Sequence, residues 1–339
     1  MWLKLYKIYK YTCRLNLFVL SRFSSQSNKD LKMKLLLITF LFLSSLQASE
    51  IPQELVLEKV DIGSLNALES LNSFRDLIPE EHLETLIEMS KQIKKQNEVF
   101  LHINTTAKGG GVASILRDIL PIQNYLGVEA HWYVMKGTDK EFQVTTFMHN
   151  AWQGIVEDDK QLAKKDVQKI YQGFSERNYL QFREKILELL QTGKNVNLQI
   201  EDSQPSGMIT LLRQDMENGF FKAFGDLKEL EKRIKITWRF HVDASKAGRN
   251  IKKFLGPHIR KADMVHVTKA DFAIEEMGNR IVVRNPPVNP IGDLTYAPTE
   301  TELKKYQKII RKTYGIDLDP KKQIIFLASG RFDPHKGLD

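Results

Sequence analysis

The feature that most constrains the fold is a strand, glycine turn, helix and second strand that follow one another within residues 99–135. An apolar stretch with β character comes first, three glycines follow, and an amphipathic helical pattern leads into a second apolar stretch: residues 99–104, 109–111, 112–126 and 130–135. This succession is typical of a parallel, doubly wound α/β sheet with helices on its faces.

The same alternation continues beyond this unit. Further apolar runs, separated by helical segments, predict strands at residues 196–200, 234–240 and 264–267. Together these elements predict one Rossmann-like domain over residues 97–285. The charged residues 51–96 that precede it show helical spacing and are predicted to form a helical lead-in.

A linker is predicted at residues 286–298, where Pro286, Pro287 and Pro290 restrict the backbone to extended conformations. Residues 299–339 then show a charged helix and an apolar strand. This pattern predicts the start of a second domain that the chain does not complete.

Residues 1–50 form a basic leader. They hold eight Lys or Arg against two acidic residues, which accounts for +6 of the formal net charge of +8. The rest of the chain is nearly balanced, and this argues against nucleic-acid binding. Residues 33–49 combine a basic start, an apolar run and small residues, as in a secretory signal or a weak membrane anchor. An over-extended reading frame is the alternative explanation.

Two loops have the composition of a phosphate site. Gly109, Gly110 and Gly111 precede a helix, where free backbone N–H groups suit a phosphate or a closely approaching sugar. They lack the spacing of dinucleotide or P-loop motifs, and a simple tight turn is the alternative. Arg331 and Lys336 stand on a turn after the last apolar strand, where two cations can converge on a phosphate ester or merely remain solvated.

Polar side chains also follow three other segments. His241 comes directly after a strand, Asp202 and Gln204 follow another, and His149 and Asn150 lie beside an aromatic residue. Each has a purely structural alternative: a hydrogen-bonded core histidine, a turn, or a helix end. The single cysteine and the scattered histidines favour no metal site.

Taken together, six stretches resemble, in their order and spacing, the trehalose synthases, which are retaining glycosyltransferases of the GT-B fold in glycosyltransferase family 4. The stretches are residues 104–113, 149–154, 202–205, 238–243, 285–287 and 331–337. The resemblance implies a GT-B architecture, with a complete acceptor-side Rossmann-like domain and a truncated nucleotide-sugar-binding domain.

The resemblance also implies roles for the residues on the donor side. Arg331 and Lys336 would neutralise the departing diphosphate, and the three-glycine loop (residues 109–111) would line the donor phosphate and sugar. His241 is expected beside the donor glucose as a catalytic residue.

On the acceptor side, the resemblance implies that Asp202 acts with Gln204 to hold acceptor hydroxyls, with Asp202 counted as catalytic. His149 and Asn150 are further acceptor candidates. The family usually has His-Asp-Pro-Gln-Pro where this chain has residues 201–205, Glu-Asp-Ser-Gln-Pro, so the Asp and Gln are kept while their neighbours differ.

The function implied is transfer of glucose from a nucleotide-glucose to glucose, forming trehalose with retention and without a metal or cofactor. The 339-residue chain is expected to be inactive by itself. Alternatives are a trehalose phosphorylase, another family 4 transferase, or a non-catalytic sugar-binding remnant. The donor favours a cytoplasmic location, the signal-like segment leaves secretion or anchoring open, and a homodimer also stays open.

Overall fold

The computed structural model describes residues 52–62, 79–156, 158–278, 280–285 and 299–315. The chain divides into two units, residues 1–52 and 53–339, and the elements below belong to the second. The strands are β1 (Glu58–Lys59), β2 (Glu98–Asn104), β3 (Glu129–Val134), β4 (Asn195–Glu201), β5 (Ile234–Phe240), β6 (Met264–Val267) and β7 (Ile281–Val283). The helices are α1 (Glu80–Lys95), α2 (Gly111–Tyr125), α3 (Asp139–Trp152), α4 (Lys165–Gln191), α5 (Gly207–Glu217), α6 (Leu227–Arg233), α7 (Arg249–Ile259) and α8 (Glu300–Tyr314).

These strands form one sheet in the order β1-β3-β2-β4-β5-β6-β7. All neighbouring pairs are parallel except β1 with β3. The predicted parallel, doubly wound sheet is therefore confirmed. The chain passes from β2 to β3 on one side and returns to β4 on the other, so a topological switch point lies between β2 and β4.

The lead-in differs from its predicted helical character in one place. Glu58 and Lys59 form the antiparallel edge strand β1, with Glu58 opposite Val134. Two residues carry no periodicity, so the sequence offers no sign of this strand; it depends on the backbone of β3. The helical part of the prediction is confirmed by α1 at Glu80–Lys95.

The larger core lies on the sheet face covered by α3, α4, α5 and α7. On β4, alternate residues Val196, Leu198 and Ile200 point into this core, as expected for a strand with a period of two. Phe174 and Phe182 of α4 are fully buried against them.

A smaller core lies on the opposite face of the sheet. There Leu116 and Leu120 of α2 are buried with Trp132 of β3. The alternate positions of β4 and β5 on this second face are polar near their carboxyl ends, with Glu201 next to Arg239 in the strand register. The second face therefore brings charged side chains together at the carboxyl ends of these two strands.

The helix predicted after the linker is confirmed as α8. Thr299 caps it by accepting from the backbone N–H of Glu302, whose carboxylate accepts in return from the Thr299 N–H. None of the described helices is long and apolar enough to cross a membrane. The leader, residues 286–298 and the predicted last strand lie outside the described residues.

Candidate functional site

Three neighbouring strands, β2, β4 and β5, end at the same edge of the sheet, and predicted site residues follow each of these ends. In the register, Ile103 of β2 lies opposite Ile200 of β4, and Glu201 lies opposite Arg239 of β5. The glycine loop, the Asp202 turn and His241 therefore leave the sheet from neighbouring strands at the switch point. This is the edge at which open α/β sheets bind their ligands.

The glycine loop is shaped by backbone conformation rather than by crowding. Gly109 and Gly110 have φ of 74° and 78°, in the left-handed region, and a Cβ placed on either one meets no atom within 4 Å. Gly110 is the N-cap of α2, and no side chain caps this end. Because the first turn of α2 contains no acidic residue, its N-terminal N–H groups suit an anion.

The strand before this loop is held by Asn104. Its amide nitrogen donates to the Thr106 carbonyl at 2.8 Å, and its amide oxygen accepts from the Trp132 indole at 3.0 Å. The guanidinium of Arg117 donates to the Ala107 carbonyl at 2.6 Å. The loop is therefore anchored at its start and middle, with the glycines left exposed.

Asp202 turns sharply out of β4. Its φ of 69° is left-handed, a conformation that costs an L-residue about 1–2 kcal/mol. Two hydrogen bonds to β5 hold it there: its N–H donates to the Arg239 carbonyl at 2.9 Å, and its carbonyl accepts from the Trp238 indole at 2.8 Å. Strain of this kind clusters at functional sites.

Glu201, the residue before Asp202, lies at the centre of a charged cluster that we call the Glu201 cluster (His102, Glu201, Arg239 and His241). Its Oε1 accepts from His102 Nδ1 at 2.9 Å and from Arg239 Nη1 at 3.1 Å. Its Oε2 lies 3.5 Å from His241 Nε2. The side chain of Glu201 is only 1% exposed, so it interacts with protein groups rather than with bulk water.

Opposing effects set the protonation of this cluster. Burial alone raises the pKa of Glu201, but the Arg239 charge, the hydrogen bond from His102 and the nearby His241 outweigh it and hold the pKa well below its usual value. Burial lowers the pKa of His102, and the nearby carboxylate does not reverse this. The cluster therefore contains a carboxylate, a guanidinium and a neutral His102.

The acceptor candidates come together through α3. This helix packs against the short 3-10 turn Gln204–Ser206, and both His149 and Asn150 lie half-buried in its last turn. The ring of Trp152, at the end of α3, meets Trp238 at 6.0 Å and Phe240 at 5.7 Å between centroids. Residues from separate predicted segments thus lie along the edge formed by β4 and β5.

Sequence reasoning missed four residues of this edge: His102, Glu201, Arg239 and His266. Burial together with the charges of Arg239 and Arg284 lowers the pKa of His266 to about 4. All four occupy the second sheet face near the carboxyl ends of neighbouring strands. The sequence does contain a signal for them: each is a polar residue that directly follows an apolar residue near the end of a predicted strand. Comparing these alternate positions across the predicted strands would have identified them.

Two predicted residues, Arg331 and Lys336, lie outside the described residues. Within the described ranges, no group of three or more His, Cys, Asp or Glu is placed to hold a metal ion.

The doubly wound sheet and its switch-point edge define a Rossmann-like α/β domain of the GT-B type. The family model described as "Trehalose synthase, N-terminal domain" matches residues 102–274, which is half of the chain. The chain belongs to this family.

The chain is also similar to curated trehalose synthases and trehalose phosphorylases. The chain is 28% identical over 269 residues to the trehalose synthase of Thermococcus litoralis, covering 79% of this chain and 56% of the relative. It is 27% identical over 285 residues to the trehalose synthase of Rubrobacter xylanophilus, covering 83% and 59%. It is 21% identical over 210 residues to the trehalose phosphorylase of Pleurotus pulmonarius, covering 60% and 26%. The chain thus spans less than two thirds of the length of these relatives.

Proposed function

We propose that this chain carries the acceptor side of an enzyme that transfers glucose from a nucleotide-glucose to free glucose, forming trehalose with retention of configuration. The single observation that supports this best is the meeting of the glycine loop, the Asp202 turn and His241 at adjacent strand ends. Each contributes a different chemistry: N–H groups for a phosphate, a carboxylate for sugar hydroxyls, and an imidazole for the sugar at the reacting carbon.

The proposed roles follow from these chemistries. Asp202 and Gln204 accept from and donate to acceptor hydroxyls, with His149 and Asn150 nearby on α3. His241 contacts the donor glucose. Arg331 and Lys336 are proposed to balance the diphosphate charge from the second domain.

In the proposed reaction the bond between the anomeric carbon and the phosphate oxygen breaks, and the acceptor oxygen bonds to the same face of that carbon. The acceptor proton passes to the leaving phosphate, so the step requires no protein nucleophile. Positioning of the two sugars and stabilisation of the leaving charge then provide most of the rate.

Binding calorimetry on the 339-residue chain tests the acceptor side of this proposal. We expect trehalose and glucose to bind, and Asp202→Asn to weaken both by about tenfold, the effect of one charge-assisted hydrogen bond. Asp271→Asn is the matched control, because Asp271 is exposed in the turn Ala270–Phe272. Equal sugar affinity in the wild type and Asp202→Asn would remove Asp202 from the site.

A trehalose phosphorylase is the second candidate, favoured by the match to the Pleurotus enzyme. The two candidates differ in the donor. Titration with nucleotide-glucose and with glucose 1-phosphate separates them: binding of the nucleotide-sugar alone supports the synthase, and binding of glucose 1-phosphate alone supports the phosphorylase. Sugar binding without either donor would favour a non-catalytic binding protein.

A further inference from the structure

The Glu201 cluster contains two histidines that approach different oxygens of one carboxylate. Glu201 Oε1 receives His102 at 2.9 Å and Arg239 at 3.1 Å, so two donors share that oxygen. The other oxygen, Oε2, faces His241 Nε2 at 3.5 Å. His241 is thus on the side of the carboxylate that His102 and Arg239 do not occupy.

An ionised carboxylate only accepts hydrogen bonds. Any hydrogen bond between Glu201 and His241 must therefore use a proton on His241 Nε2. In the neutral imidazole one nitrogen carries the proton and the other accepts, so a proton on Nε2 leaves Nδ1 with its lone pair. The same reasoning gives His102 the opposite tautomer, with the proton on Nδ1.

We propose that Glu201 is a positioning residue that fixes the Nε2–H tautomer of His241 and so presents Nδ1 to the sugar as a hydrogen-bond acceptor. This rests on the proposed function, in which His241 contacts the donor glucose. Nδ1 of His241 then accepts a hydrogen bond from a sugar hydroxyl rather than donating one. Glu201 does not touch the sugar and acts through His241.

The local charges agree with this role. The pKa of Glu201 is held low by Arg239 and by the two histidines, which keeps the carboxylate ionised at neutral pH. Arg239 is itself held in place by the strand pairing of β5 with β4. The orienting group is therefore a buried acceptor on a rigid sheet, as is required of a group that fixes a catalytic tautomer.

Long-range proton–nitrogen NMR of histidine-labelled protein at pH 8.5 reads the tautomers directly. The chain has eight histidines, and His241→Gln and His102→Gln identify the two relevant signals by their loss. We expect His241 to carry its proton on Nε2 and His102 on Nδ1. A wild-type His241 with its proton on Nδ1, or on both nitrogens, overturns the proposal whether or not any variant folds.

The variant Glu201→Gln tests the cause. Its carboxamide keeps the shape but offers a donor as well as an acceptor, so we expect a new or mixed tautomer at His241 and about tenfold weaker binding of trehalose. Glu201→Asp keeps the charge but withdraws the carboxylate by one methylene, and an intermediate tautomer mixture is expected. An unchanged His241 signal in folded Glu201→Gln would show that Glu201 serves only His102 and Arg239.

Glu129→Gln is a matched control, because Glu129 Oε1 lies 3.0 Å from His131 Nε2 at another place on the sheet. It should change the His131 signal and leave His241 unchanged. The tautomer measurement requires no ligand, so a chain that fails to bind sugar would contradict the proposed function while the NMR result still decides the role of Glu201.

Discussion

Two neighbouring residues at the end of β4 make different contributions to the site. Glu201 contributes a buried charge, held by partners on β2 and β5. Asp202 contributes a left-handed backbone that turns the chain out of the sheet. Both features are costly in isolation, and each is maintained by hydrogen bonds from the adjacent strand.

The strain at Asp202 leads to a prediction that separates stability from binding. Asp202→Gly and Asp202→Ala both remove the carboxylate, but only glycine adopts positive φ without a steric cost. We expect the glycine variant to be more stable than the alanine variant by about 1 kcal/mol in urea denaturation. Both should lose trehalose affinity. Equal stability of the two variants would show that the backbone relaxes at this position.

At the scale of elements, the first residue of α5 lies in close contact with α4. The N–H of Gly207 donates to the Tyr171 hydroxyl at 2.8 Å. A Cβ on Gly207 would lie 2.5 Å from Ser175 Oγ and 2.9 Å from Ser175 Cβ. Glycine is therefore required here by the close approach of two helices, and this approach also positions the Gln204–Ser206 turn that precedes α5.

Two glycine replacements on the same helix pair should act in opposite directions. Gly207→Ala should destabilise the fold by about 1–3 kcal/mol, because the two helices must separate. Gly173→Ala, in the interior of α4, meets no atom within 4 Å and should stabilise by about 0.5–1 kcal/mol through helix propensity. Thermal unfolding of both variants checks this, and destabilisation by Gly173→Ala would contradict it.

The elements were largely predictable because their signals are local. The strands at residues 196–200, 234–240 and 264–267 and the helix after residue 111 follow from apolar spacing within one segment. The edge strand β1 was not predictable, because its two residues pair through backbone groups with β3. The contacts of Glu201 could not be predicted in this way, because they depend on the register between β2, β4 and β5, which only the assembled sheet defines.

At the scale of the whole molecule, several buried or partly buried groups make the free energy of unfolding depend on pH with the same sign. The pKa is lowered for three histidines and three carboxylates: His102, His258, His266, Glu129, Glu141 and Glu201. For each one the unfolded chain binds protons at a higher pH than the folded chain. Stability must therefore fall as the pH is lowered through these ranges.

His258 offers a defined window for this dependence. Burial, with the Lys261 charge, lowers its pKa from 6.5 to about 4. The contribution of His258 to the free energy of unfolding is complete above pH 6.5. It is lost as the pH falls towards 4, because the unfolded state binds the proton at a higher pH than the folded state does. We expect His258→Gln to have a shallower loss of stability over this range. Urea midpoints measured from pH 7 to pH 4 check it, and parallel curves for the two proteins would contradict it.

The sequence by itself determined the parallel α/β architecture, the loops at the strand ends and, through its motifs, the resemblance to trehalose synthases. These depend on neighbours in the chain, since periodicity and turn residues act over a few positions. The tertiary structure alone decided that His102 and Glu201, 99 positions apart, form a hydrogen bond beside Arg239 and His241. Their contact depends on strand order and register, which no single segment of the sequence specifies, and it forms the charged centre of the candidate site.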